Sequence, residues 1–303
     1  MDGLLTVVFK RAYINAINSF SIVGLAFSAQ STYEKINPNV PFPVNLTFNK
    51  ILLLFALSFI IFTANDIRRV FFKKIKIGTI TRSVSIRTGN ILARRNSTIL
   101  VGVNDILTCD VNVIGQNSIH HQIIKKYHKT YGDSWIIDGF ANEYEKCRAS
   151  SLVDSCGHIP YGHCFKLSSP DEMQDYIFIV ASTLQSSQVQ TPITKTSDYK
   201  YIFDGLFQNL NSFRCKDNRL YLSLIGTGAA GNDVDKNKLI EYICFRFIRT
   251  PSDRNAVHDL VIMVRPKKVI NGEIKLVSAY DSIEKLSEKC LSCPGDQSFF
   301  NLT

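Results

Sequence analysis

The sequence lacks several features that would place it in common protein classes. Its first residues, Met1-Asp2-Gly3, include no base, and no small-residue cleavage motif follows, so we expect no cleavable signal peptide. It has no internal repeat and no low-complexity linker, which argues against a solenoid or a string of tethered modules. Hydrophobic residues make up 45% of the 303-residue chain, and this excludes wholesale disorder.

Charged residues are missing from about 12–29 and from 51–64. We predict transmembrane helices at about 12–29 and 46–65, the second interrupted by Asn49 and Lys50. The ammonium group of Lys50 can snorkel toward lipid headgroups. A buried core helix is the alternative for the second stretch.

The first stretch is the more polar of the two. Asn15, Asn18 and Ser19 fall on one helical face, and Gly24 and Ser28 are spaced to allow a close approach. We therefore predict that this helix packs against the second helix or against copies of itself. A polar face lining a pore is a further hypothesis.

Acidic residues are almost absent between residues 66 and 96, where Asp66 is the single acid. Bases are enriched on the cytoplasmic flanks of membrane helices, so we predict that both termini are cytoplasmic and that a short external loop covers about 30–47. Binding of nucleic acid is the alternative for a basic segment, and we predict none. The bases are Arg68, Arg69, Lys73, Lys74, Lys76, Arg82, Arg87, Arg94 and Arg95.

From about Lys76 the pattern changes to short β-rich runs that alternate with helical stretches. Such alternation predicts an α/β fold with a mixed or parallel sheet covered by helices. We assign residues 1–74 to the transmembrane hairpin with its basic juxtamembrane segment, and residues 75–303 to a cytosolic domain. The predicted strands are Ile75–Ile86, Asn96–Val103, Tyr176–Thr183, Leu220–Ile225, Asp259–Arg265 and Lys275–Ala279, and the predicted helices are His120–Tyr131, Asp198–Ser212 and Asp235–Ile248.

Two motifs lie where a strand gives way to a loop. The segment Gly226-Thr227-Gly228-Ala229-Ala230-Gly231 joins a predicted strand to a helix, where backbone N–H groups can surround a phosphate. It lacks the Gly-Lys-Ser/Thr of a Walker loop, and a plain tight turn is the alternative. Gly89-Asn90-Ile91 and Asn104-Asp105 also follow predicted strands, where ligands of α/β sheets bind. A helix cap or turn is the alternative for Asn104.

The eight cysteines are scattered, and several lie among apolar residues, so free thiols in a reducing compartment are expected. Cys156, His158, His163 and Cys164 offer zinc-type ligands, as does the Cys290-Leu-Ser-Cys293 pair, but the spacing is unlike that of paired zinc doublets. We predict no metal site. A cysteine–histidine nucleophilic pair lacks a recognisable third member.

The order of these motifs resembles that of a macrodomain, the fold that binds ADP-ribose and related dinucleotides. Together with two N-terminal helices, the chain resembles membrane-bound (type II) Thoeris antiphage effectors. The resemblance implies a mixed sheet sandwiched by helices, preceded by the two-helix transmembrane hairpin. It covers about Lys76 to the C-terminus, and the hairpin extends it to the whole chain.

The resemblance also implies roles for individual residues. Asn90, with Ile91, matches a position whose acid contacts adenine, and Asn104 matches an asparagine that contacts the distal ribose. Ser118, Ile119 and His120 match the helix start after the first phosphate-facing loop, and residues Gly226 to Gly231 match the second. The first loop, Asp110–Asn117, lacks the glycine run of hydrolytic macrodomains, which favours a reader over a hydrolase.

The resemblance therefore implies an antiviral sensor with no catalytic residue and no cofactor. Its ligand would be an ADP-ribose derivative made from NAD by a TIR-domain partner enzyme. Binding would change the assembly of a homo-oligomer in the bacterial inner membrane, disrupt the membrane and arrest growth. The alternatives are a membrane-tethered ADP-ribosyl hydrolase and a structural scaffold with a degenerate pocket.

Overall fold

The computed structural model describes residues 2–36, 48–72, 74–77, 82–110, 112–184, 193–225, 234–250 and 257–292. The chain divides into two compact units. The first comprises Met1–Lys73 with Val269–Gly272, and the second comprises Lys74–Lys268 with Glu273–Thr303.

The first unit contains two long helices, α1 (Asp2–Ile36) and α2 (Phe48–Phe72). Helix α1 extends beyond both predicted ends, whereas α2 begins two residues after its predicted start and extends beyond its predicted C-terminal end. They pack against each other, with the rings of Phe20 and Phe55 4.7 Å apart. Asn15 and Ser19 are buried, and the Ser19 hydroxyl donates to the Asn15 carbonyl oxygen over 2.7 Å. Burial of this polar pair agrees with the predicted packing role of the face, although Asn18 is exposed.

No helix within the described residues is long and apolar enough to cross a membrane. The apolar side chains of the two helices are nevertheless unusually exposed, since Leu25 is 70% exposed and Ile61 64%. Among the described residues, no heavy atom beyond the neighbouring backbone of α1 lies within 4 Å of a Cβ built at Gly24, so the structure shows no close approach of α2 there.

The second unit is built on a mixed seven-stranded sheet in the order β1-β2-β7-β6-β3-β5-β4. The five inner strands run parallel, while β1 and β4 are antiparallel edges. The strands are β1 (Lys74–Ile77), β2 (Arg82–Thr88), β3 (Ser97–Asn104), β4 (Cys164–Ser168), β5 (Gln174–Ser182), β6 (Arg219–Ser223) and β7 (Asp259–Val264).

Helices cover both faces of this sheet, and all nine residues of β5 are buried as a result. On one face the core includes Phe178 of β5 and Phe140, whose rings lie 4.8 Å apart. The helices are α3 (Ile119–Tyr131), α4 (Ser134–Ala149), α5 (Asp198–Asn209), α6 (Lys236–Arg249), α7 (Pro266–Ile270) and α8 (Leu276–Ser292). The predicted α/β class with a mixed sheet is confirmed.

Two predicted strands differ from the structure. Lys275–Ala279 opens helix α8, because Leu276, Ala279, Tyr280 and Ile283 recur at helical spacing and all four are buried. Ile75–Ile86 is two strands: β1 pairs back onto β2 in antiparallel register, with Ile75 opposite Val84. A continuous period-two pattern does not show where a hairpin turns.

Six bases of the basic segment belong to the sheet unit, since that unit begins at Lys74. Lys74 forms an ion pair with Asp259 at 2.8 Å. Arg82 is buried, and its guanidinium donates to the carbonyl oxygens of Phe247 and Thr250. Burial lowers the pKa of Arg82 to about 10. Part of the basic cluster is therefore structural, which sequence-based topology reasoning could not separate from a membrane flank.

Candidate functional site

A cleft opens at the edge of the sheet where the parallel strands end. It is lined by the last residues of β3, β5, β6 and β7, which are Asn104, Ser182, Ser223 and Val264. The chain leaves β3 on one side to reach β5 and later returns on the other side through β6. Carboxyl ends of strands beside such a reversal are where open α/β sheets bind ligands.

Asn104 is buried at the floor of this cleft. Its Oδ1 accepts a hydrogen bond from the Thr108 backbone over 3.0 Å. The Oδ1 end of the side chain therefore has the turn role that the sequence offered as the alternative. Among the described residues, the Nδ2 group has no hydrogen-bond partner. Asn104 can therefore hold its turn and still donate a hydrogen bond to a bound ligand.

The neighbouring carboxylate, Asp105, is not part of the cleft lining. One of its oxygens accepts from the backbone N–H of Leu184 over 3.2 Å, and the other lies 2.9 Å from His158 Nδ1. The Asp105 carboxylate is therefore paired outside the cleft. The end of β3 presents neutral groups to the cleft.

The N-terminus of α3 points into the same cleft. Ser118 caps the helix, because its hydroxyl accepts from the His121 backbone over 3.0 Å. Ser118, Ile119 and His120 all line the cleft. The unpaired N–H groups of a first helical turn and the positive end of the helix dipole favour an anion at this position.

His120 contributes shape to the cleft but no positive charge. Its ring lies 5.0 Å from that of Phe140 and 5.9 Å from that of Phe178. Burial lowers the pKa of His120 to about 3, with a smaller contribution from His121. The imidazole is therefore neutral at physiological pH and has little capacity as a general acid.

Three cations line the cleft: Lys236, Arg265 and Lys268. The part of the lining that the structure describes includes no acid. Glu273, outside the lining, holds both lysine ammonium groups at 2.9 and 2.8 Å, and these contacts lower the pKa of its carboxyl. Arg265 donates to the Asn117 carbonyl oxygen over 2.8 Å. The cations are thus positioned before any ligand arrives, which favours an anionic one.

Two other predicted site residues lie away from the cleft lining. Asn90 caps a short 3₁₀ turn at Ile91–Ala93, accepting from the Leu92 backbone over 3.0 Å. Ile91 is buried in the core. Gly89 donates its N–H to the Val264 carbonyl oxygen, so this turn still adjoins the end of β7.

The predicted glycine loop, Gly226 to Gly231, lies outside the described residues. Ile225, the last described residue before it, and Lys236, five residues after Gly231, both line the cleft.

The four side chains of zinc-ligand type around Cys156, which the sequence offered as an alternative, are not brought together in the structure. Cys156 is exposed, His158 faces Asp105, and the Cys164 thiol donates to the Gly162 carbonyl oxygen. Cys293 lies outside the described residues.

The cleft cations were missed by sequence reasoning because they are far apart in the chain and the charge pattern is dominated by residues 66–96. Arg265 directly follows a strand, and Lys236 opens a helix beside the glycine loop. A base at either position lies at the carboxyl edge of a parallel sheet, where ligands bind. That placement could have identified these bases as candidate site residues from the sequence.

Comparison with known proteins gives one family match. The family described as "Thoeris protein ThsA, Macro domain" matches residues 84–265. No curated protein matches the chain.

Solved macrodomains from Oceanobacillus iheyensis are similar to the chain. The one with ADP is 14% identical with a TM-score of 0.47, covering 72% of this chain and 97% of that one. The one with MES bound is 16% identical with a TM-score of 0.43, covering 73% and 96%.

Proposed function

We propose a sensing function for this chain, which belongs to the macrodomain family of the Thoeris protein ThsA: its cleft binds an ADP-ribose-type ligand and leaves it chemically unchanged. The observation that carries the proposal is the composition of the cleft, where three positioned cations and a helix N-terminus meet a free amide donor. An anionic nucleotide with ribose hydroxyl groups offers the complementary chemistry.

The diphosphate of such a ligand suits the N-terminal turn of α3 and the cations Lys236, Arg265 and Lys268. Asn104 supplies an amide donor for a ribose hydroxyl oxygen through Nδ2. The loop Gly226 to Gly231 is proposed as the second phosphate contact, since residues on both sides of it line the cleft. We propose Asn90, which follows the end of β2, as the contact with the base of the ligand.

The alternative enzymatic function is hydrolysis of an ADP-ribosyl bond. General acid–base catalysis requires a group that exchanges a proton near the reacting bond. Within the described lining, no carboxylate is present and His120 is held neutral by burial. These features support a reader of the ligand over a hydrolase.

We further propose that the two N-terminal helices are the output, placed in the bacterial inner membrane with both termini cytoplasmic. The support is the row of exposed apolar side chains on α1 and α2, which need lipid or a second copy of the chain as a partner. A TIR-domain enzyme would make the ligand from NAD. The ligand would alter helix assembly only through different affinities for the resting and active states.

The full chain in detergent, titrated with ADP-ribose by calorimetry, tests the cleft. Arg265→Gln removes a cation while leaving an amide, and we expect affinity to fall about tenfold or more, because charge-assisted hydrogen bonds to phosphate are lost. Arg214→Gln changes an exposed arginine outside the cleft and should bind as the unmodified chain does. Equal affinities for the two variants would exclude the cleft as the binding site.

A further inference from the structure

A cluster of three ligand-type side chains lies apart from the cleft, between α4 and β4. Glu143 and Cys147 are four residues apart on α4 and therefore share a helical face. His163 comes from the turn that enters β4. One ligand atom from each residue lies within 4.8 Å of the others, and none of the three residues lines the cleft.

A single nitrogen of His163 faces both partners. Its Nε2 lies 3.3 Å from the Cys147 Sγ and 3.0 Å from the Glu143 Oε1. A cysteine–histidine–carboxylate catalytic triad uses opposite ring nitrogens, so that the acid orients the base while the base activates the thiol. This arrangement cannot do that, and burial together with Glu143 raises the pKa of the Cys147 thiol.

Convergence of one nitrogen, one sulfur and one oxygen on the same point is instead the arrangement of a metal site. We propose that Glu143, Cys147 and His163 bind a Zn²⁺-class divalent ion. Typical Zn²⁺ bond lengths in tetrahedral geometry separate sulfur and nitrogen by about 3.5 Å and nitrogen and oxygen by about 3.4 Å. The observed 3.3 and 3.0 Å reach these values after shifts of a few tenths of an ångström.

The protein holds the three ligands in place before the ion binds. The His163 carbonyl oxygen accepts from the Val180 N–H over 3.0 Å, which fixes the turn against β5. The ring of His163 stacks 6.4 Å from that of Phe165, and Lys146 lies 3.5 Å from the second carboxylate oxygen of Glu143. Such contacts restrict the orientations of the ligating side chains.

The site has three protein ligands and a partly open side. Cys147 is fully buried, whereas the side chains of Glu143 and His163 are 16% and 19% exposed. Water therefore takes the fourth position. The ion links α4 to the start of β4 across sixteen residues of chain, and it stabilises the folded state by mass action.

Titration of the full chain with Co²⁺ as a spectroscopic probe for Zn²⁺ tests the site. The chain for this titration is prepared with Cys290→Ser and Cys293→Ser, so that the other closely spaced pair of thiols is absent. We expect one equivalent to produce a thiolate-to-cobalt charge-transfer band and the strong visible bands of tetrahedral cobalt. Added Zn²⁺ should then displace the cobalt and raise the unfolding temperature. Absence of the bands would overturn the proposal.

Three variants decide which residues hold the ion. Cys147→Ser should abolish the charge-transfer band, and Glu143→Gln should keep the band while weakening Co²⁺ affinity at least about tenfold. Cys164→Ser, a thiol bonded to the Gly162 carbonyl oxygen, should leave both unchanged. If Cys147→Ser does not fold, Glu143→Gln still tests the site. Unaltered Co²⁺ affinity in Glu143→Gln would contradict the proposal. Loss of the charge-transfer band in Cys164→Ser would contradict it as well.

Discussion

The two ends of the Asn104 side chain have different surroundings. Oδ1 holds the turn through Thr108, while Nδ2 is available at the cleft. Asn104→Asp keeps the acceptor, removes the donor and adds a negative charge near the proposed diphosphate. We expect the fold to persist and ADP-ribose affinity, measured by calorimetry, to fall at least about tenfold, or about 1.4 kcal/mol.

The same change at Asn90, the proposed base contact, has the opposite expected effect. Asn90 also accepts a backbone hydrogen bond through Oδ1, from Leu92, but lies outside the cleft lining. Asn90→Asp preserves that cap and supplies the acid that the resemblance to macrodomains implies at this position, so affinity should hold or rise. A loss equal to that of Asn104→Asp would show that added charge alone, anywhere at this edge, weakens binding.

His120 gives stability a pH dependence. Its pKa is about 3 in the folded chain against an ordinary 6.5, so the unfolded chain takes up a proton between these values that the folded chain does not. Stability from the neutral imidazole is complete above about pH 6.5 and is lost as pH falls toward 3. We expect the unmodified chain to lose roughly 1.5 kcal/mol more than His120→Leu between about pH 6.5 and about pH 5.

Urea unfolding of both chains at each pH measures this difference. The other titratable groups are shared, so they cancel in the comparison. Parallel stability curves for the two chains would contradict the burial of a neutral His120.

At the scale of elements, α5 approaches the turn before β4 through two glycines. A Cβ built at Gly205 would lie 2.4 Å from the Gly162 carbonyl oxygen and 2.6 Å from its Cα. Backbone cannot yield as a side chain can, so Gly205→Ala should cost about 1–3 kcal/mol in urea unfolding. Gln208→Ala, on the exposed side of the same helix, should stay within about 0.5 kcal/mol. Equal stabilities would refute the close approach.

Elements with strong hydrophobic patterns were predictable from sequence. The predicted strand Tyr176–Thr183 matches the bounds of β5 to within two residues, and the predicted helix Asp235–Ile248 matches those of α6 to within one. Both patterns are strong because these elements are buried in the layers of the sheet unit. Helix α4 and strand β4 were missed. Only three residues of α4 are buried, namely Ile136, Phe140 and Cys147, and β4 is a short edge strand with one buried residue.

The candidate site was predictable in outline and not in its charges. Asn104 and Ser118 lie at ends of elements, where a polar residue after a strand or before a helix indicates a ligand edge. Lys236 begins α6, Arg265 follows β7 and Lys268 lies in α7, and only the parallel order of the strands brings them to that edge. The cluster of Glu143, Cys147 and His163 likewise joins residues from two elements that the sequence pattern did not reveal.

At the scale of the whole molecule, the exposed apolar side chains of the N-terminal helices make a membrane prediction. Replacing Leu52, Leu53, Ile60 and Ile61 by serine removes apolar surface from α2, so the chain should no longer sediment with phosphatidylethanolamine–phosphatidylglycerol vesicles. ADP-ribose binding should persist. Four comparably exposed apolar residues of the sheet unit, Tyr131, Ile137, Leu152 and Met173, provide the serine control that should still sediment. Equal sedimentation of the two variants would refute the assignment of the helices to the membrane.

The central claim is that the cleft holds an ADP-ribose-type ligand without transforming it. The most direct measurement incubates the full chain in detergent with ADP-ribose and with the product that a TIR-domain enzyme makes from NAD, isolates the complex, and determines the mass of the released ligand. We expect a stoichiometric complex with at least one of these ligands, released at its original mass. No complex with either ligand, or release of a ligand of altered mass, would contradict it.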